Sequence, residues 1–382
     1  MRSALCLTAG MVAYLATSMM GQASPAKPPV PSPYPVPVYR VSFERGQLIP
    51  AVSSSSVIKW PLQCSDDGTI FASFVSTARA GSGLPPPPPG PPTSILTSIS
   101  RAGQARTFRL DQVPNLYISG EEDHYVSDSE VIFLVRASRE NNPVKRAYTV
   151  GDYQGETTVN AAEQHLYVVT FNRDAEYQRT VQIADSFQIQ KIALFPSGSF
   201  LVFGFDKSDY SAKLAMLKAD GTLLKTIDIP KDGDAPPSTI GGGGASSRSR
   251  HSIAPSQLIP EGHSIVIAQR QGGHPLIEVS EGGEARSIRP KLPETEDIKS
   301  LIPSDHNLYV IAASKTEPTN SHGSIYEIDP VVGTLMRTYV LGGGVTADAL
   351  ACVIDGRFLS IDYGEGGVVP IVGSAEPASA AP

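Results

Sequence analysis

Read as a string of apolar and polar positions, the chain is a succession of short apolar or alternating runs broken by turn residues, and almost nowhere does apolar spacing hold a helical period over four turns. The clearest unit spans residues 192–229. An apolar run, Ile192 to Phe195, is followed by a Pro196-Ser197-Gly198 turn and the continuous apolar strand Phe200 to Phe205. After a loop come Ala212 to Leu217, the turn Ala219-Asp220-Gly221, and Leu223 to Ile229. Four antiparallel strands joined by hairpins in about 40 residues are the size and pattern of one β-propeller blade.

The plan recurs over residues 64–110, 116–150, 159–183, 256–288, 298–341 and 350–372, with first turns such as Asp66-Asp67-Gly68, Ser127-Asp128-Ser129, Pro260-Glu261-Gly262 and Asp355-Gly356. The predicted fold is therefore all-β, a single propeller of seven four-stranded blades over residues 38–372. Six or eight blades fit as well, because the 159–183 unit is short, and packed two-layer sandwiches are the competing architecture. The last unit lacks a fourth strand, while residues 38–44 form an alternating run with no partners of their own. Placing that run as the outer strand of the last blade closes the ring and removes an open edge.

Two hairpins carry a resemblance to known families. Residues 325–338, Ile-Tyr-Glu-Ile-Asp-Pro-Val-Val-Gly-Thr-Leu-Met-Arg-Thr, resemble the strand, Asp-Pro-x-x-Gly-Thr turn and strand of YVTN-type and quinoprotein-like repeats. Residues 217–226, Leu-Lys-Ala-Asp-Gly-Thr-Leu-Leu-Lys-Thr, are similar to the matching hairpin of NHL-type repeats. The resemblance implies a propeller and no particular activity, since propellers host lyases, hydrolases, dehydrogenases and pure binding scaffolds.

Composition adds an address. Residues 1–23 open with Met1-Arg2, run through an apolar stretch and reach Gly21-Gln22-Ala23, the layout of a cleaved secretory signal peptide. No later segment offers a membrane span, so the mature chain is expected to be secreted or periplasmic. A proline-rich spacer follows at 24–37, inserted loops are expected at 81–94, with its Pro85 to Pro92 tract, and at 232–251, with Gly241 to Gly244, and a disordered tail at 373–382. The net charge of −7 and the lack of a Lys/Arg stripe argue against nucleic-acid binding. Of three cysteines, Cys6 falls in the signal. Cys64 and Cys352 stand at the same position of the first and last units, each four residues before a glycine. They are either a bridge between the ends of the ring or two separate buried thiols, and the Cα separation limit of about 7 Å decides between these.

Catalytic signatures are missing from the sequence. There is no Gly-x-Ser-x-Gly elbow, no His-Glu-x-x-His and no recurring Trp-Asp pair, and Trp60 is the sole tryptophan. His165, His263 and His306 each read as first-turn residues that would share one face, where imidazoles could hold a metal. Asp66, Asp67, Asp128, Asp305 and Asp355 occupy the same kind of turn, where aspartate is favoured because its carboxylate accepts from nearby amides. None is assigned a catalytic, cofactor or metal role. The expectation is an exported, monomeric binding or interaction scaffold without a cofactor, whose ligand is a protein or carbohydrate. The alternative is a propeller lyase or hydrolase acting on an extracellular or cell-wall substrate.

Overall fold

The computed structural model describes residues 36–50, 56–76, 94–150, 153–184, 186–208, 211–230, 255–269, 275–305, 307–316, 323–364 and 367–378. All lie in one compact unit, Val36–Pro382. The expected signal peptide, nearly all of the spacer and both inserted loops (save Ser94) fall outside the described residues.

The first strand, β1 (Val38–Arg45), precedes a four-stranded meander of β2 (Ser56–Cys64), β3 (Ile70–Ser76), β4 (Ser94–Ile99) and β5 (Ala105–Thr107). The second blade contains β6 (Tyr117–Val126), β7 (Glu130–Ser138), β10 (His165–Asn172) and β11 (Tyr177–Gln182); between its second and third strands stands a separate ribbon of β8 (Pro143–Val150) and β9 (Tyr153–Asn160). The third consists of β12 (Gln188–Leu194), β13 (Phe200–Phe205), β14 (Ala212–Leu217) and β15 (Leu223–Ile227). The fourth has β16 (Pro255–Glu261), β17 (Ser264–Gln269), β18 (Leu276–Ser280) and β19 (Ala285–Ile288). The fifth has β20 (Glu296–Ile302), β21 (Leu308–Ser314), β22 (Ser324–Ile328) and β23 (Leu335–Leu341). The last is β24 (Leu350–Ile354), β25 (Arg357–Gly364) and β26 (Gly367–Pro377), completed on its outer edge by β1.

The described strands thus make six four-stranded units, not seven. The expected units at 116–150 and 159–183 are a single blade. Residues 144–150, expected as the outer strand of the 116–150 unit, pair in the structure with β9 alone, while β7 pairs with β10 from Ala137↔His165 to Glu130↔Asn172. The segment is a genuine strand, but it belongs to a largely solvent-exposed ribbon. The closing strand behaves as its pattern predicts: β1 runs antiparallel to β26 from Tyr39↔Pro377 to Arg45↔Ile371. That pairing also corrects the chain end, because residues 373–377, expected in a disordered tail, are strand. β1 additionally lies parallel to β23, Val38↔Thr338 to Val41↔Leu341, so the fifth and sixth blades fuse into one eight-stranded sheet.

Ring closure is visible in the innermost strands, which touch in the cycle β2, β6, β12, β16, β20, β24 and back to β2. The second strand of each blade is covered on both faces by its neighbours, which is why β13 reads Phe-Leu-Val-Phe-Gly-Phe and buries Phe200 to Phe203 completely. Outer strands face water, as β15 does, with Leu223 to Thr226 exposed and only Ile227 buried. Apolar cores fill each seam; between the first two blades Phe171 meets Phe108 and Phe133 edge-on, Phe108–Phe171 at 5.8 Å and 89°.

Seams are also fastened by turns between third and fourth strands, which in the third and fifth blades press on the preceding blade. Gly333 (φ +71°) would place a Cβ 2.3 Å from the Arg289 carbonyl, and its own carbonyl accepts from the Lys291 amide at 2.8 Å. Gly221 (φ +83°) meets the Gln182 carbonyl in the same way. Only a residue without a side chain fits both the left-handed backbone and that approach.

Candidate functional site

The two ends of the ring differ. The hairpin turns joining innermost to second strands cluster at one end, here the turn end, and are short. The connections entering each innermost strand, and those between second and third strands, open at the other end.

The channel is closed by paired polar groups. On β6, whose register is interrupted by bulges at Ile118/Gly120 and Glu121/Asp123, Asp123 and His124 are buried. Asp123 accepts from Lys191 Nζ at 2.7 Å and from the Ile192 amide at 3.1 Å, tying the second blade to the third. His124 Nδ1 lies 3.0 Å from Glu121 Oε1. Gln63 on β2 donates to the His124 carbonyl at 3.0 Å and accepts from the Val126 amide at 2.8 Å, tying the first blade to the second. The space they enclose with Leu62, Ile192 and Leu258 is about 40 Å³, room for a water and not for a substrate. Sequence reasoning missed His124; its one signal was an Asp-His pair just ahead of the Ser127-Asp128-Ser129 turn, and the bulges that aim it are invisible in the sequence.

The three histidines expected together are not together. His263 sits in the β16–β17 turn with its ring 84% exposed, 3.5 Å from Glu281. His165 opens β10 opposite Ala137, at the far end of the ring, because the turn it was assigned to is the return from the β8–β9 ribbon. His306 lies outside the described residues. Among the described residues no cluster of His, Cys, Asp and Glu is arranged to hold a metal.

The aspartates do occupy the turn end, where most organise backbone. Asp67 Oδ1 accepts from the Thr69 amide and the Ser65 hydroxyl, each at 2.8 Å. Burial pushes the Asp67 carboxyl up, but these bonds and the nearby Arg173 outweigh it and hold it below the ordinary range. Arg173 bridges two turns, reaching Asp67 Oδ2 at 2.8 Å and the Asp128 carbonyl at 2.6 Å. Asp305 accepts from the Asp355 amide at 2.8 Å, tying the fifth first turn to the sixth, and Glu281, in the β18–β19 turn of the fourth blade, accepts from the Ser197 amide of the third blade's first turn at 2.7 Å.

Between the second and third turns, reaching the fourth, lies a cavity of about 340 Å³ lined by Asp128, Glu130, Arg179, Ser197 and Ser264 over a floor of Tyr125, Phe195 and Ile265. Asp128 differs from the other aspartates. Burial first, and the Asp66 charge second, raise its carboxyl above the ordinary range despite help from Arg173 and an Asp66 backbone hydrogen bond. Arg179 is 3.7 Å from Glu130, and its Nε has no hydrogen-bond partner.

Cys64 and Cys352 form a disulfide with a Cα separation of 6.0 Å, joining β2 to β24 across the seam between first and last blades. No helix among the described residues is long and apolar enough to cross a membrane.

The strand order and the closed cycle of inner strands define the class: this is a β-propeller. No protein-family model and no curated protein matches the chain. Among solved structures it is similar to the β-propeller domain of the Trilobed protease from Pyrococcus furiosus, at 10% identity over 85% of this chain and 86% of that one, with a TM-score of 0.35. It is also similar to dipeptidyl peptidase 4 of Porphyromonas gingivalis, at 12% identity over 79% of this chain and 41% of that one, TM-score 0.37. Hydrazine synthase of Kuenenia stuttgartiensis matches at 8% identity over 83% and 95%, TM-score 0.40. Likeness this distant carries no activity over to this chain.

Proposed function

We propose that the chain is an exported propeller acting as a binding scaffold, and that its turn end receives a protein partner through the cavity between the second, third and fourth blades. The observation that supports this reading is Asp128: a carboxyl at a cavity wall that burial first and the Asp66 charge second hold above its ordinary range, where the bonds of Asp67 hold that carboxyl below its own. A cationic side chain from a partner would relieve both costs, with Ser197 and Ser264 beside it as hydrogen-bonding groups. The enzyme reading would need the channel polar set, and those groups are satisfied by one another around a space too small for a substrate. The Cys64–Cys352 bond is in keeping with export to an oxidising compartment. Kinship with YVTN, NHL or quinoprotein-like repeats rests on the two hairpins alone.

The test is affinity capture from the culture medium of the source cells, with wild-type protein and an Asp128→Lys/Glu130→Lys variant side by side. A species retained by the wild type and lost by the variant is the expected result. Identical captures from both, or none from either, would overturn the proposal. Amino-terminal sequencing of the exported protein, expected to begin after Ala23, checks the address.

A further inference from the structure

A second cavity, at the end of the ring away from the turns, points to a different ligand. It measures about 390 Å³ and lies between the sixth blade and the connection running from Gly342 to Ala349. Pairing across the blade fixes its floor: Ser360, Ile371 and Arg45 form one row and Phe358, Gly373 and Phe43 the next, so Arg45, Ile371 and Phe43 share a face. Gly373 has no side chain, and the half-buried Phe43 ring lies over it; a Cβ there would come within 2.5 Å of the ring. Ile371 and Val345 complete an apolar wall.

The polar groups stand at the mouth. Arg45 and Asp362 form an ion pair, 68% and 42% exposed, with Thr346 on the opposite lip. Gly343 and Gly344 have φ of +65° and +77°, and a Cβ on either would meet nothing within 4 Å. The two glycines therefore serve the backbone path of the loop and leave the rim bare.

We propose that this cavity binds a neutral polyhydroxylated ring, a saccharide. The two charges in the lining cancel, so an anionic ligand would face Asp362 and a cationic one Arg45, whereas a hydroxyl both donates and accepts and can satisfy the pair together. An aromatic ring flanked by aliphatic side chains suits the C–H face of a sugar. The volume falls within the roughly 300–1,000 Å³ of small-molecule sites. The site is separate from the turn-end cavity and shares no residue with it.

The experiment is saturation-transfer difference NMR on the full chain with glucose, galactose, mannose, xylose, N-acetylglucosamine and cellobiose, followed by titration of any binder. At least one neutral sugar is expected to bind with Kd of about 1 mM or tighter. Asp362→Asn and Thr346→Val should each weaken it about tenfold or more. An exposed ion pair adds little to stability, so Asp362→Asn should melt as the wild type does. Asp128→Asn, at the other cavity, should leave sugar binding unchanged. With glucuronate run beside them as a charged control, no transfer from any of the neutral sugars, binding unaltered in both mouth variants, or binding confined to glucuronate would overturn the proposal.

Discussion

Breaking the Cys64–Cys352 bond is expected to lower the melting temperature by about 7 °C. The two residues are 288 positions apart, so the bond closes almost the whole propeller into one covalent loop. For a loop that long, chain-entropy arithmetic gives about 19 cal/mol/K, or roughly 5–6 kcal/mol at 25 °C, near the upper end of what native disulfides supply. The β1–β26 pairing does not reduce this figure, because it exists only in the folded chain. A propeller of about 340 residues has an unfolding entropy near 0.7 kcal/mol/K, which converts roughly 5 kcal/mol into about 7 °C. Differential scanning calorimetry of the oxidised protein and of a Cys64→Ala/Cys352→Ala variant measures it. Amide exchange should show the loss first in β2 and β24, the strands the bond joins. Melting temperatures within about 1 °C of each other would refute the entropic argument, and two titratable thiols in the unreduced, denatured mature protein would refute the bond itself.

Three further outcomes follow from the same structure. Asp128 has its folded pKa raised, so its contribution to stability is present below the ordinary carboxylate range and lost as pH rises through the raised value; Asp128→Asn should therefore raise the melting temperature at pH 7, with the gain vanishing near pH 4 in a pH series of thermal melts. Glu327 is 1% exposed and accepts from Tyr339 Oη at 2.6 Å and Arg337 Nη1 at 3.1 Å beside the β1–β23 seam; Glu327→Ala should cost about 2–4 kcal/mol and Glu327→Gln about half that in urea unfolding. Gly333→Ala should cost about 2–3 kcal/mol, and Gly356→Ala, at φ +68° with open space around it, only about 1 kcal/mol, so equal losses would refute the close approach to the Arg289 carbonyl.

Legibility in the sequence tracked locality. In the third blade the predicted strands Phe200 to Phe205 and Ala212 to Leu217 are β13 and β14 to the residue, because both are buried runs bounded by glycine or polar turns. The ribbon defeated the count: β8 is a strand, as expected, yet its neighbour is decided by where β10 returns, and a local strand pattern carries no information about partner identity. The same error moved His165 to the wrong end. The turn aspartates were legible as turn formers, since an Asp–amide bond spans two residues; that Asp128 alone stands against burial and Asp66 depends on how two blades abut.

By itself, then, the sequence determined an all-β chain of repeated four-stranded units, a closing N-terminal strand and a repeat-equivalent cysteine pair, all consequences of which positions must be buried and where a chain can turn. Tertiary structure alone decided the number of blades, the parallel β1–β23 seam, the self-satisfied channel and the two cavities. Those depend on contacts between residues tens to hundreds of positions apart, whose geometry is fixed only when neighbouring blades pack and each buried polar group must find its partner.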